Sequence, residues 1–422
     1  MNFRLLVWAL LLLTILHSCE TVEENATDST TVGAQRLLED EFELIQGKRV
    51  GIITNHSAVV GESQDHIVDL LHDHEEVEVT ALFGPEHGIR GEADAGEPVD
   101  DEVDEETGIP VYSLYGDTRY PTEEMLEDVD VLLFDIQDVG TRFYTYPATM
   151  GRAMKSAAKT GIPYLVLDRP NPIGGERIEG HIREDEFESG IGLYPTPITH
   201  GMTVGELALM IKDNEWHEGI SDIDLHVVEM EGWTRDMFWE DSGLDWVPPS
   251  PNIPDVETAI IYPGTCLFEG TNASEGRGTY EPFLQVGSPY ISNSEVADDL
   301  NNRDLPGLYF NPAVFVPESI EGMSTEPKLE GEQLDGVKID ITESRNVRPV
   351  EAGIHIMQAF YENMDEEGQQ DFFIERGMSV RAGNKRVQQQ LEEGVDANEI
   401  VESWQEDVDY FKEFRKPYLL YE

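Results

Sequence analysis

Glu86 and His87, within Phe83-Gly-Pro-Glu-His-Gly-Ile-Arg-Gly91, are the residues of this chain whose types and placement point most directly to proton transfer. The residues before them, Val77–Phe83, form a short β-branched and apolar run. It reads as a buried strand that Gly84-Pro85 ends. Gly88 and Gly91 follow, and both tolerate backbone angles that other residues avoid. In open α/β sheets ligands bind outside the carboxyl ends of the strands, so an acid on a loop there is a candidate catalytic group. Taken alone, Glu86 would serve equally well as a helix cap or a solvated surface acid. The other strand ends shift that balance.

Strands are expected at Arg49–Thr54, Val77–Phe83, Pro110–Tyr115, Val129–Gln137 and Ile162–Asp168, with helices at Gln64–His72, Thr122–Glu127 and Pro147–Thr160 between them. A helix from Ala34 through Ile45 precedes the first strand. The strands are continuous apolar runs rather than alternating ones, as expected for a parallel sheet covered on both faces. The fold class is therefore α/β, with a Rossmann-like, doubly wound parallel sheet. The turn after the first strand is Thr54-Asn55-His56-Ser57-Ala58, with no Gly-x-Gly-x-x-Gly, so no dinucleotide cofactor is expected.

Four strand ends carry polar clusters: Asn55 and His56; Glu86, His87 and Arg90; Asp135 through Tyr146; and Asp168-Arg-Pro-Asn171-Pro. The topology would bring them to one sheet edge. Arg142 is suited to a substrate carboxylate because a guanidinium can bind both oxygens. Tyr144 and Tyr146 present flat apolar faces with polar tips, which suits a sugar ring. Asp135 and Asp168 are equally suited to holding loop amides.

Farther along, Thr203 and Glu206 form a capping box for a helix at Val204–Lys212, and Asp224–Glu229 reads as a strand. The proline-locked segment Trp246 to Pro254 is expected to wall a cleft. A second unit is expected from Tyr262, opening on Phe268-Glu-Gly-Thr-Asn-Ala-Ser-Glu-Gly-Arg-Gly-Thr279. A surface loop needs no such collection of acids, amides, hydroxyls and glycines, so Thr271, Asn272, Glu275 and Arg277 are candidate site residues. Later strands are expected at Leu308–Val316 and Val337–Thr342, and helices at Ala352–Tyr361 and Ala397–Glu413.

The chain has 422 residues, of which 86 are acidic and 28 basic, for a formal net charge of −58. The acids are spread along the whole length, which reads as adaptation to a saline milieu, where salt screens self-repulsion. Nucleic acid is excluded as a partner, because a phosphate backbone needs a basic stripe. Arg4 and the apolar run Leu5–Leu16 match a signal peptide, and Leu16-His-Ser-Cys19 resembles a bacterial lipoprotein signal in which lipid is attached to Cys19. Residues 1–18 would then be cleaved, and 19–34 would form an acidic tether to a membrane. Residues 35–261 would be the Rossmann-like domain and 262–422 a smaller C-terminal α/β domain. Cys266 would be left without a partner and reads as a small buried apolar residue. His56, His66, His72, His74, His87 and His200 fall in no metal-ligand spacing, so no metal is expected.

Taken in order, the Gly-Pro-Glu-His-Gly loop, the Asp135–Tyr146 run, Asp168-Arg-Pro-Asn-Pro172 and the 268–279 motif closely resemble the bacterial exo-β-N-acetylmuramidases, glycoside hydrolase family 171. The resemblance spans essentially the whole mature chain. It implies an active-site cleft between two domains, release of terminal N-acetylmuramic acid from the non-reducing end of peptidoglycan-derived glycans, and Glu86 as the catalytic acid. This chain departs from the family pattern in having Asn-His-Ser after the first strand, where Asn-Pro-Thr is more usual, and in its acidic insertions. Such chemistry needs an acid for the leaving oxygen and usually a second carboxylate. Keeping Glu86 protonated needs an apolar or anionic setting, which His87 could tune. For the second carboxylate Glu275 is favoured, with Asp138 behind it, and the substrate's acetamido group is a further possibility. Arg142 or Arg277 would meet the lactyl carboxylate. The competing class is a lipid-anchored, two-lobed solute-binding protein without chemistry. An amidase or esterase is disfavoured by the absence of a metal motif and of Gly-x-Ser-x-Gly.

Overall fold

The structure, a computed structural model, describes residues 29–86, 88–91, 101–116 and 118–422. His87, Cys19 and the signal-peptide segment lie outside the described residues.

The first unit is built on a seven-stranded sheet. Its strands are β1 (Arg49–Thr54), β4 (Glu78–Gly84), β5 (Glu102–Val103), β6 (Pro110–Ser113), β7 (Val131–Asp135), β8 (Tyr164–Leu167) and β9 (Leu225–Val228), in the order β5-β6-β4-β1-β7-β8-β9. All neighbours are parallel except β5, which runs antiparallel to β6 at the edge. The order grows outward from β1 in both directions, so the carboxyl ends of β1, β4 and β7 meet at the switch point of a doubly wound sheet.

The unbroken apolar strands are explained by what covers them. In β7, Val131 and Leu133 enter one core with Val50, Ile52, Leu82 and the helices Gly33–Glu39 and Ile67–His72. Leu132 and Phe134 enter the other core, shared with the helices Tyr146–Thr160 and Val204–Asp213. With both faces buried, a strand has no polar side to show. The Thr203–Glu206 capping box is present on the helix Val204–Asp213, as expected.

The structure differs from the sequence reading in several elements. Residues expected to begin the helix before His72 instead pair as a hairpin, β2 (Val59–Val60) with β3 (Asp65–His66), and the helix starts at Ile67 under the cap of the His66 ring. Residues 122–127 form turns rather than a helix. The expected C-terminal helix is two, Ala397–Glu402 and Gln405–Arg415, broken where the Ser403 hydroxyl bonds back to the Ile400 carbonyl at 2.6 Å.

The second unit has an antiparallel sheet, β10 (Gln285–Ser288), β12 (Leu334–Ile341) and β11 (Leu308–Phe315) in that order, covered by helices. Helix Val256–Thr265, which the sequence reading passed over, runs through Tyr262, where the second unit was expected to begin. It packs on Pro349–Asn363, and the larger hydrophobic core runs through both units without interruption, from Ile53 and Phe134 to Phe268, Phe360 and Phe411. The last residues turn back to the first unit. Tyr421 Oη donates to Asp168 at 2.6 Å, Leu420 N donates to Glu206 at 2.9 Å, and Arg235 N donates to the Glu422 carbonyl at 2.8 Å.

The two packed helices touch through glycines. A Cβ on Gly264 would lie 1.8 Å from the Pro349 carbonyl oxygen, and one on Gly353 would lie 2.5 Å from the Gly264 carbonyl oxygen. Gly264→Ala is therefore expected to push these helices apart and to cost about 1–3 kcal/mol, the usual range for overpacking. Urea unfolding in high salt would measure it. An unchanged midpoint would contradict this packing.

Candidate active site

Gly84 ends β4 in the buried sheet, and Pro85-Glu86 turns out of it, closed by Gly88 N donating to the Pro85 carbonyl at 3.0 Å. Gly91 has φ +80° and lies against the His56 ring, where a Cβ would come within 2.4 Å of Nδ1. The loop's glycine is thus required by both conformation and space. Glu86 is half-buried, and its Oε2 accepts from Thr145 Oγ1 at 2.9 Å. The Tyr115 hydroxyl bonds to it as well; burial and then the Glu86 charge push that phenol up to about 12.

Glu86 opens onto two connected chambers between the units. The inner one, about 150 Å³, is walled by Phe143, Tyr144, Tyr146 and Ser250 from the first unit and by Tyr262, Glu269 and Arg277 from the second. Its rings hold each other edge-on: Tyr144 to Tyr146 at 4.9 Å and Tyr144 to Tyr262 at 6.1 Å. The outer chamber, about 760 Å³, adds Glu275, Lys328 and Arg381 around Glu86, Glu269 and Arg277. The proline-locked segment helps build the wall. The Pro249 carbonyl accepts from Tyr146 Oη at 2.7 Å, and the Pro248 carbonyl accepts from His56 Nε2 at 2.6 Å.

Glu269 leaves the short 3₁₀ turn Cys266–Gly270 between two guanidiniums. Its Oε1 accepts from Arg277 Nε at 3.1 Å and Nη2 at 3.0 Å, and its Oε2 accepts from Arg381 Nη2 at 2.6 Å. Burial opposes its charge, but Arg277 and Arg381 together outweigh burial and hold the carboxyl below the usual carboxylate range. Glu275 sits behind it, almost wholly buried. Lys328 Nζ lies 2.7 Å from Glu275 Oε2, off the hydrogen-bond axis, and donates to the carbonyls of Phe268, Thr271 and Ala273.

Of the residues singled out in the sequence, the structure gathers Glu86, Tyr144, Tyr146, Glu275 and Arg277 around the chambers. Asn55 stands one step behind, its Nδ2 donating to Tyr146 Oη at 2.9 Å. Most of the others among the described residues are engaged in holding the chain. Arg142 lines neither chamber: it is buried and donates to the carbonyls of His181, Thr196 and Arg381. Burial, and then Arg183, lower it to about 9. Arg90 binds Asp69 at 3.0 Å and Asp104 at 2.9 Å. Asp135 forms a buried two-point pair with Arg169, at 2.5 and 3.0 Å. Asn171 caps its own loop, taking Ile173 N at 3.2 Å, and Thr271 takes Ala273 N at 3.2 Å. Asn272 is half-buried and lines neither chamber. Asp168 collects Thr203 Oγ1, Gly205 N and Tyr421 Oη, the loop-holding role open to it in the sequence.

Glu269, Arg381, Lys328, Tyr115 and Tyr262 were missed. Glu269 lay inside the 268–279 motif but carried no mark to separate it from Glu275. Arg381 is 112 residues from its partner, and no spacing rule reaches that far. A separate cavity of about 430 Å³ at the ends of β1, β7 and β8, lined by Ser57, Gln137, Arg169 and Trp239, shares no wall residue with the cleft. Its one guanidinium is committed to Asp135.

A two-lobed α/β protein with paired carboxylates and aromatic rings facing one cleft is built like a glycoside hydrolase. The chain matches the N-terminal domain model of the exo-β-N-acetylmuramidase NamZ over residues 50–257 and the C-terminal domain model over residues 260–421, and it belongs to that family. It is 45% identical over 389 residues to the peptidoglycan β-N-acetylmuramidase NamZ of Bacillus subtilis (strain 168), covering 92% of this chain and 91% of that one. Among solved structures it resembles two DUF1343 family proteins of Bacteroides fragilis NCTC 9343. One has a TM-score of 0.85 and 36% identity, the other 0.77 and 33%; each alignment covers 93% of this chain and 99% of its counterpart.

Asp138 lies beneath this wall, its Oδ2 accepting from Gly140 N at 2.8 Å. Burial pushes its carboxyl up to about 7, against the pull of the Gly140 and Val139 amides. An unfolded Asp titrates near about 3.9, so between that pH and about 7 the folded chain holds a proton that the unfolded chain has lost. Stability from this group is full below the window and falls as pH rises through it. Asp138→Asn is expected to make the fall in melting temperature from about pH 4 to about pH 7 less steep. An unchanged slope would contradict the assignment.

Proposed function

We propose that this protein is an exo-acting glycoside hydrolase that releases terminal N-acetylmuramic acid from the non-reducing end of peptidoglycan-derived glycans. The observation that carries the reading is the shared chamber of Glu86 and Glu269. One carboxyl comes from each unit, and tyrosines form the walls between them. Glu86 is the acid: it protonates the bridging oxygen as the sugar leaves. Thr145 and Tyr115 fix its orientation. The rings of Tyr144 and Tyr146 give the pyranose an apolar face. A solute-binding protein would have no need of a carboxyl pair set across the cleft in this way.

For the lactyl carboxylate we favour Arg277 over Arg142. Arg277 lines both chambers, and its hydrogen bonds to Glu269 use Nε and Nη2, leaving Nη1 for a ligand. Arg142 has its bonds directed at main-chain carbonyls. The proposed setting is a membrane surface: export through the 1–18 signal peptide, lipid on Cys19, and a tether that ends before Thr30, since residues 30–34 pack on the first unit, and leaves the cleft free to meet soluble glycan fragments. The dispersed excess of acids fits work at high ionic strength.

Hydrolysis of a chromogenic N-acetylmuraminide in high salt tests the proposal. Glu86→Gln is expected to lower kcat roughly a thousandfold, within the usual range for a general acid. Wild-type protein that bound the sugar without turning it over, or a variant as fast as wild type, would overturn it.

A further inference from the structure

The outer chamber sets two carboxylates of the second unit, Glu269 and Glu275, beside Glu86. We infer that Glu269, rather than Glu275, is the second carboxylate of the reaction and acts as the nucleophile through Oε2, an inference that rests on the glycosidase reading above. Both chambers are lined by Glu86 and Glu269 together, whereas Glu275 borders only the outer one. The Glu269 side chain keeps 21% of its surface open and the Glu275 side chain 3%, so only the first can meet a sugar carbon. Glu275 is held by Lys328, and that ammonium also binds three carbonyls of the same loop, which makes the pair an anchor for the motif.

The hydrogen bonds around Glu269 leave a defined point of attack. Oε1 is taken by two donors of Arg277, while among the described residues Oε2 accepts only from Arg381 and keeps a second lone-pair position. Two guanidiniums on one carboxylate also favour its ionised form, as a nucleophile requires.

A β-glycoside is cleaved in two steps. Glu86 gives its proton to the glycosidic oxygen as the C1–O bond breaks and the electron pair leaves with the aglycone. An electron pair of Glu269 Oε2 forms a bond to C1 from the opposite face, giving a glycosyl ester. Water then attacks C1 and passes a proton to the Glu86 carboxylate. The ester C–O bond breaks, its electron pair returns to Glu269, and the β-configured sugar departs.

The test compares wild type, Glu269→Ala, Glu269→Gln and Glu275→Gln on 4-nitrophenyl N-acetyl-β-muraminide, with and without sodium azide, in high salt. Wild-type turnover is the control for the underlying reading; without it that reading fails, whatever the variants do. Given turnover, Glu269→Ala and Glu269→Gln should each lose roughly a thousandfold or more in kcat. Azide, fitting the space left in Glu269→Ala alone, should restore rate to that variant and yield the α-glycosyl azide by NMR. Glu275→Gln should lower the melting temperature without gaining from azide. The first sugar anomer released by wild type should be β. Near-wild-type rates in Glu269→Ala, or a loss of rate that azide leaves untouched while near-UV circular dichroism stays native, would overturn the inference. The second of these outcomes would assign the nucleophile to the substrate's own acetamido oxygen. A first-released α anomer would overturn it as well.

Discussion

The cleft depends on a relay of guanidinium groups. Arg142, rooted in the first unit by the carbonyls of His181 and Thr196, donates to the main-chain oxygen of Arg381 at 2.7 Å. Arg381 in turn holds Glu269, which Arg277 holds from the other side. A buried arginine with no acid of its own is costly unless its donors are spent on carbonyls. Here Nη1 is spent within the first unit and Nη2 on the second, fixing one unit against the other, while Nε stays unpaired among the described residues. The distance across the chambers is therefore set by rigid, directional contacts between packed elements.

The fold was legible in the sequence to the extent that burial controls it. Strands covered on both faces left unbroken apolar runs, so β1, β4, β7 and β8 could be placed to within about two residues, the usual uncertainty of element ends. What failed was decided by local competition. The β2–β3 hairpin won residues 59–66 through a pairing that no periodicity announces, and a hydroxyl bonded to its own helix split the last one.

The site was legible by region and illegible by role. Glycine-rich loops and polar clusters mark where the chain approaches the cleft, and Glu86 lines it because its strand ends on that edge. Charge type misled elsewhere. Arg142, Arg90 and Asp135 have the chemistry of ligands, yet each is occupied by partners 39 or more, 14 and 34 residues away, respectively, that only the fold supplies. For the same reason Glu275 is favoured in the sequence and Glu269 is not singled out: which of them lines the inner chamber depends on Lys328, Arg381 and the turn Cys266–Gly270.

The return of the chain's end to the first unit has a consequence for biogenesis. Asp168 and Glu206, at the heart of that unit, have partners 253 and 214 residues downstream, Tyr421 and Leu420, and Arg415 reaches the carbonyls of Gly175, His200 and Gly201. Domains commonly complete in order as the ribosome delivers them. In this chain Asp168 and Glu206 gain those partners only after residues 420 and 421 have been made, so the earlier unit is completed after the later one.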